Sequence, residues 1–242
     1  MRRGQTRRLP LAELAHRRWP GWDPAAIESA ISAGEVVVEG RILTNPAAQV
    51  PLDAPLRHVP AAQLAGTAKL VWALAQFGVS ASGAVALDVG ACTGGFTTAW
   101  LQAGARRVYA VDAGHGQLLG SLRLDPRVVN LERTNVSALG VEVIPEAVDA
   151  VSVDVSYLSL AAAVGQLSSL ARPGTVLVGL VKPMFELRMA TIPSDPVVLG
   201  QARDAAVTGV TAAGWEVEAA VESPVRGGRG AVEFFVLAKR RP

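Results

Sequence analysis

The residues able to do chemistry cluster around a few apolar runs. Asp88 follows the run Ala84-Val85-Ala86-Leu87, and Asp112 closes the run Arg107-Val108-Tyr109-Ala110-Val111. Gly90 and Gly94 lie just after Asp88. A carboxylate at a first strand end, a turn that lets backbone approach a ligand, and an acid placed to accept from a ribose diol together suit a nucleoside-type cofactor. A dinucleotide would need G-x-G-x-x-G, so that its pyrophosphate rests on a helix N-terminus. Cys92 stands two residues after Gly90, and that fingerprint fails. S-adenosylmethionine carries no pyrophosphate, so Asp88, Gly90, Gly94 and Asp112 predict a methyl-donor site. Asp154 ends the run Val148 to Val153, and Lys182 ends the fully apolar Thr175 to Val181. Two buried strands would deliver this carboxylate and this amine to one crevice, although a strand-end lysine can also snorkel to solvent. Thr134-Asn135 allows two readings: the Asn135 side chain holds an adenine edge, or it caps a turn. Arg226 and Arg229 stand among the glycines of Pro224 to Gly230, which suits a phosphate backbone or a plain hairpin loop.

These groups need rigid elements to hold them. Gly94 and Gly95 open a helix carrying Phe96, Trp100 and Leu101, and Gly104 stops it. With the apolar runs on either side this makes strand, glycine-rich turn, helix, strand, half of a doubly wound sheet. Val128 to Leu131 reads as a third strand, Val148 to Val153 as a fourth and Thr175 to Val181 as a fifth. Ser156 is placed to cap a helix over Leu158 to Leu170. Another helix spans about Val197 to Ala213, and Trp215 to Val221 and Val232 to Lys239 form a final antiparallel pair. The fold class is α/β. In front, residues 9–58 read as a compact module. Leu9, Leu11, Leu14 and Ala15 make one helix stripe, and Asp23-Pro24 starts a second helix. Val36 to Val38 and Ile42-Leu43 are strands, and Val50 to Asp53 with Leu56 to Val59 look like a closing strand pair. Residues 59–65 form a linker.

The bulk figures exclude several classes. Half of the 242 residues are hydrophobic, yet no uncharged apolar run is long enough to span a bilayer. The basic N-terminus has no apolar segment like that of a secretory signal. One cysteine excludes an internal disulfide and points to the cytoplasm. The net charge is only +2, but Arg2, Arg3, Arg7, Arg8, Arg17 and Arg18 face Glu13 alone in the first twenty residues. Such a cluster suits phosphate contact, or it is a solvated tail. His115 has no metal-ligand spacing around it, so no metal is expected and it reads as structural or cofactor-adjacent.

Four motifs carry a family resemblance: Asp88-Val-Gly-Ala-Cys-Thr-Gly-Gly-Phe96, Val111-Asp-Ala-Gly-His-Gly-Gln-Leu118, Glu132-Arg-Thr-Asn-Val136 and Lys182-Pro-Met-Phe-Glu186. In this order they resemble the TlyA-type rRNA 2′-O-methyltransferases, FtsJ-like enzymes with a small RNA-binding domain in front. The resemblance implies a Rossmann-like class I S-adenosylmethionine-dependent methyltransferase domain over 66–242, after a small α+β RNA-binding domain over 1–58. It implies rRNA or a ribosomal subunit as partner, and a cytidine ribose as acceptor. Lys69, Asp154, Lys182 and Glu233 would be the catalytic set. Lys69 stands at the family's lysine, and Glu233 precedes Phe234-Phe235 as the family's acid precedes its paired aromatics. Asp88, Gly90, Gly94, Gly95, Phe96, Asp112 and Asn135 would hold the cofactor. Arg7, Arg8, Arg17, Arg18, Arg41, Arg226 and Arg229 would meet RNA. The chain departs from the pattern in the linker, in the acidic start of the second front helix, at Met184 and at Ala231. Three other readings are open: a small-molecule or protein methyltransferase of the same fold; a non-catalytic RNA-binding protein, made credible by these departures; and a haemolysin-like membrane-active protein, against which the absence of a span, a signal or a long amphipathic basic helix argues.

Overall fold

The computed structural model describes residues 7–60, 64–167 and 169–242; Arg2 and Arg3 lie outside them. The front of the chain runs β1 (Arg8–Pro10), α1 (Leu11–Arg18), α2 (Pro24–Ser32), β2 (Val36–Val38), β3 (Arg41–Ile42), β4 (Gln49–Pro51) and β5 (Leu56–His58). Two expectations change here. Leu9 does not join the helix: it sits in β1, because Pro10 removes an amide donor and the helix starts after it. The two late strands do not pair with each other. β4 pairs with β1, and β5 pairs with β2, giving the order β3-β2-β5. Leu11, Leu14, Ile27, Ile31, Val36, Val38 and Val50 fill a small core of their own.

The larger part begins with α3 (Ala65–Phe77), β6 (Val85–Val89), α4 (Gly95–Gln102), β7 (Arg107–Asp112), α5 (Gly120–Leu124) and β8 (Val128–Glu132). It continues with β9 (Val148–Val153), α6 (Leu160–Gly165), β10 (Ala171–Val181), α7 (Pro183–Glu186), α8 (Pro196–Ala212), β11 (Trp215–Glu222) and β12 (Phe234–Arg240). One seven-stranded sheet has the order β11-β12-β10-β9-β6-β7-β8. The neighbours from β10 through β8 run parallel, whereas β12 is antiparallel to β10 and β11. The chain turns from β6 to β7 on one side and returns to β9 on the other, so the topological switch lies between β6 and β9. Both sheet faces are covered, which explains unbroken apolar strands such as β6, buried at every position. On one face Leu70, Leu74, Phe96, Trp100 and Phe235 pack together; on the other, Leu160, Val164, Leu199, Val210 and Trp215 do.

Helix α6 is shorter than its apolar run suggests, and its cap is Ser159 rather than Ser156: the Ser159 hydroxyl accepts from the Ala162 amide at 3.2 Å. The front module meets the larger part around α5. The Ser121 amide donates to the Ala33 carbonyl, and Ile42, Val59 and Leu64 pack with Leu118, Leu119 and Leu122.

Candidate functional site

The carboxyl ends of the central strands open into a cavity of about 290 Å³ lined by Gly90, Cys92, Asp112, Gly114, Gln117, Thr134, Asp154, Ser156 and Tyr157, among others. Gly90 is dictated by a close approach. Its φ is +89°, and a Cβ there would stand 2.2 Å from the Asp154 carbonyl oxygen. At the tip of β7 the Asp112 carboxylate accepts from the amides of Cys92 at 2.8 Å and Gly114 at 2.7 Å. It thereby ties the turn after β6 to the loop after β7. Glu132 holds the far end of that loop, accepting from the amides of Gln117 at 2.8 Å and Leu118 at 3.2 Å. Burial pushes the Cys92 thiol up from its ordinary value, so it is not a primed thiolate. Tyr157 is also raised, by burial and then by the nearby Asp112 charge.

A smaller cavity of about 150 Å³ adjoins this one, with Gly66, Gly90, Ala91, Cys92, Gly95, Phe96 and Asp154 in its wall. Here α3 is fastened to α4, since the Thr67 hydroxyl donates to the Gly95 carbonyl at 3.0 Å. Gly94 is not in either wall; it caps α4, covered by Leu118 and Leu122.

Two of the expected cofactor contacts move. Asp88 lies inside β6 with none of its surface exposed. One carboxylate oxygen accepts from Thr97 Oγ1 at 2.7 Å and the other from Ser152 Oγ at 3.0 Å, while Trp100 Nε1 donates to Ser152 Oγ at 2.8 Å. Burial raises the carboxyl to about 7 against these hydroxyl hydrogen bonds. Asp88 thus braces α4 against β9 instead of reaching the cleft, and the sequence reading is corrected there. Asn135 accepts from the amide and hydroxyl of Ser137, both at 3.0 Å, capping a short 3₁₀ turn. Its neighbours Thr134 and Val136 line the cleft in its place. His115 is exposed and is likewise absent from the cavity lining.

A third cavity, about 220 Å³, is walled by Ser156, Lys182, Met184, Phe185, Ile192, Pro193, Gly228, Ala231, Val232 and Glu233. Sheet register explains why two of these residues face each other. Val181 of β10 pairs with Phe234 of β12, so Lys182 and Glu233 leave adjacent strand ends together. Lys182 forms an ion pair with Asp154 and donates to Ser156 Oγ at 2.8 Å. Glu233 forms a second ion pair, with Lys69 of α3 at 2.6 Å, and those two side chains are 6% and 9% exposed. The four residues expected as a set therefore form two pairs. Gly227 permits this geometry, because a Cβ on it would fall 2.2 Å from Glu233 Oε1. Glu186 lies half-buried and accepts from the Leu160 amide at 2.8 Å, anchoring α6; burial raises its carboxyl.

The sequence assigns no site role to Gln117, Tyr157, Ile192 or Pro193, and Ser156 reads there only as a helix cap. Ser156 and Tyr157 could have been read as site residues, since they stand two and three positions after Asp154, just past a strand end. The arginines are at the surface. Arg8 donates to the Gln49 carbonyl at 2.6 Å, Arg17 pairs with Glu13 at 2.7 Å, Arg18 reaches the Leu52 carbonyl at 3.5 Å, and Arg226 pairs with Glu222 at 3.0 Å. Arg7, Arg41 and Arg229 are exposed, and Arg229 has a left-handed backbone with φ +57°. Among the described residues no group of three metal-ligating side chains comes together, and no helix is long and apolar enough to cross a membrane.

Comparison with known proteins gives the family. Residues 65–240 match the model of the FtsJ-like methyltransferase family. The chain is 40% identical over 215 residues to the 16S/23S rRNA (cytidine-2′-O)-methyltransferase TlyA of Mycobacterium tuberculosis, covering 85% of this chain and 80% of that protein. It is 30% identical to Hemolysin A of Brachyspira hyodysenteriae, covering 94% and 98%. A solved Streptococcus thermophilus structure, whose hemolysin label is provisional, superposes with a TM-score of 0.71 at 29% identity over 98% of this chain and 90% of that one. An S-adenosylmethionine-dependent methyltransferase of Mesorhizobium loti shares the fold of the larger part, with a TM-score of 0.55 at 14% identity over 75% of this chain and all of that one. With its Rossmann-like sheet, its cleft at the β6/β9 switch and these relatives, the chain belongs to the FtsJ-like methyltransferase family, among the TlyA-type proteins.

Proposed function

We propose that this protein methylates a ribose 2′-hydroxyl of ribosomal RNA, on a cytidine as in its named relatives, with S-adenosylmethionine as donor. The observation that carries this reading is the Lys182–Asp154 pair, set where the cleft beside Asp112 meets the apolar cavity beside Glu233. The cleft suits the donor: Asp112 offers a carboxylate at the β7 tip for a ribose diol, and Gly90 lines the wall without a side chain. The donor supplies an electrophilic methyl group on its sulfonium.

The remaining work belongs to the chain. The acceptor oxygen must be aligned with the methyl carbon and the sulfur, and alignment is worth a large part of the barrier. Met184, Phe185, Ile192 and Val232 give the acceptor nucleoside an apolar wall. Lys182 then acts on the acceptor hydroxyl in one of two ways. As an amine it takes the 2′-hydroxyl proton; as an ammonium it steadies the developing alkoxide while water takes that proton. Asp154 orients Lys182, and the Lys69–Glu233 pair holds α3 against the start of β12. In this reading residues 1–58 dock the RNA through Arg7, Arg8, Arg17, Arg18 and Arg41, residues 59–65 link, and residues 66–242 perform the transfer. Arg226 and Arg229 add phosphate contacts; the surface pairs of Arg17 and Arg226 are weak enough to exchange for phosphate. The substrate implies the cytoplasm as the place of work. Incubating purified protein with rRNA and labelled donor, then digesting to nucleosides, should yield 2′-O-methylcytidine by mass spectrometry; methyl on a base or on protein alone would defeat the reading.

A further inference from the structure

Among the described residues, Ser156 alone lines both the cleft beside Asp112 and the apolar cavity beside Glu233. It follows β9, sits exposed in a bend and is excused from helix capping, which Ser159 performs. Its hydroxyl accepts from Lys182 Nζ at 2.8 Å. Lys182 also forms an ion pair with Asp154 Oδ1. Asp154 supplies the opposite charge, and Ser156 adds a neutral acceptor that fixes a direction. A charge–charge contact leaves a flexible lysine free to swing, whereas a hydrogen bond falls off steeply with angle.

We propose that Ser156 is the positioning residue that aims Lys182 at the junction of the two cavities, where donor methyl and acceptor hydroxyl must meet. This rests on the methyl-transfer reading for its kinetic consequence, but the contact itself can be tested without turnover. Ser156 holds one N–H of Lys182 and Asp154 attracts the group as a whole. Two positions on nitrogen remain, hydrogens or, in the amine, a hydrogen and a lone pair, and one of them is left for the acceptor oxygen. The Ser156 hydrogen stays available to the acceptor sugar as well.

The chain has three lysines, Lys69, Lys182 and Lys239, which makes an amine readout simple. Acylation of the full-length protein, resolved by mass spectrometry, compares Lys182 with the exposed Lys239. In Ser156→Ala the Lys182 rate should rise several-fold against Lys239, and Ser156→Thr should restore it. In single-turnover methylation, Ser156→Ala should cost about 10- to 100-fold in rate. Calorimetric affinity for S-adenosylmethionine should stay unchanged, and Ser156→Thr should again recover the rate. Unchanged Lys182 labelling in Ser156→Ala overturns the proposal, as does a rate loss matched by an equal loss of donor affinity. Altered labelling in a chain whose wild type transfers no methyl group supports the contact and overturns the methyl-transfer reading instead.

Discussion

The site has a sealed region and an open one, built from the same side-chain types. In the sealed region Lys69 and Glu233 are 9% and 6% exposed, Glu233 bordering the third cavity with its carboxylate committed to Lys69, and Asp88 is fully buried, bonded to Thr97 and Ser152. In the open region Lys182 and Asp154 are 18% and 22% exposed, and Asp112 lies in the cleft wall. A carboxylate shut among hydroxyls joins elements; one at a strand tip facing a cavity has capacity left for a ligand. Residue type alone does not separate these roles. Exposure and the direction of the hydrogen bonds do.

If this contrast is right, substitutions in the open region remove function and those in the sealed region remove stability. The largest effect falls on Lys182→Ala, which should slow methyl transfer by about 10² to 10⁴-fold. Donor affinity and thermal midpoint should hold, and a marked fall in the midpoint would place Lys182 with the sealed group. Lys69→Met should strand a buried carboxylate and destabilise by about 3–5 kcal/mol in denaturant unfolding. Pairing it with Glu233→Leu should recover most of that loss; equal damage in the single and double variants would break the contrast. Asp112→Ala should weaken donor binding by about 1.5–3 kcal/mol in calorimetry, through loss of a charge-assisted acceptor.

The last effect is a slope with pH. Asp88 has its folded value raised from 3.8 to about 7, so the folded state binds more protons than the unfolded state between those values. Its contribution to stability is therefore full below about pH 4 and is lost as pH rises through about 7. Asp88→Asn should flatten unfolding free energy over that window relative to wild type. A parallel pH profile would show that Asp88 does not titrate there.

Much of this was legible beforehand because it depends on chain-local pattern. The apolar runs announced β6, β7, β9 and β10, and strand ends announced Asp112, Asp154 and Lys182. What escaped depends on which groups meet across the fold. Asp88 looks like a strand-end ligand, but Ser152 and Thr97, far along the chain or one helical turn into α4, absorb it. Asn135 could serve a ligand or its own turn, and only the position of Ser137 decides. The pairing of β4 with β1 was hidden because strands of three residues carry almost no periodic signal. Ser156 was misplaced for a similar reason, since Ser159 caps as well and stands closer to the helix.

The Lys69–Glu233 bond joins residues 164 positions apart. At about 5–20 residues per second, a ribosome needs roughly 10 to 30 s to make the chain between them. For that interval α3 can pack on α4, but its lysine has no acid to meet. β12, inserted between β10 and β11, must arrive before the pocket acquires its Glu233 wall. Under the proposed reading, the nascent protein forms its donor cleft before its acceptor cavity, and methyl transfer waits on the late closure of the sheet.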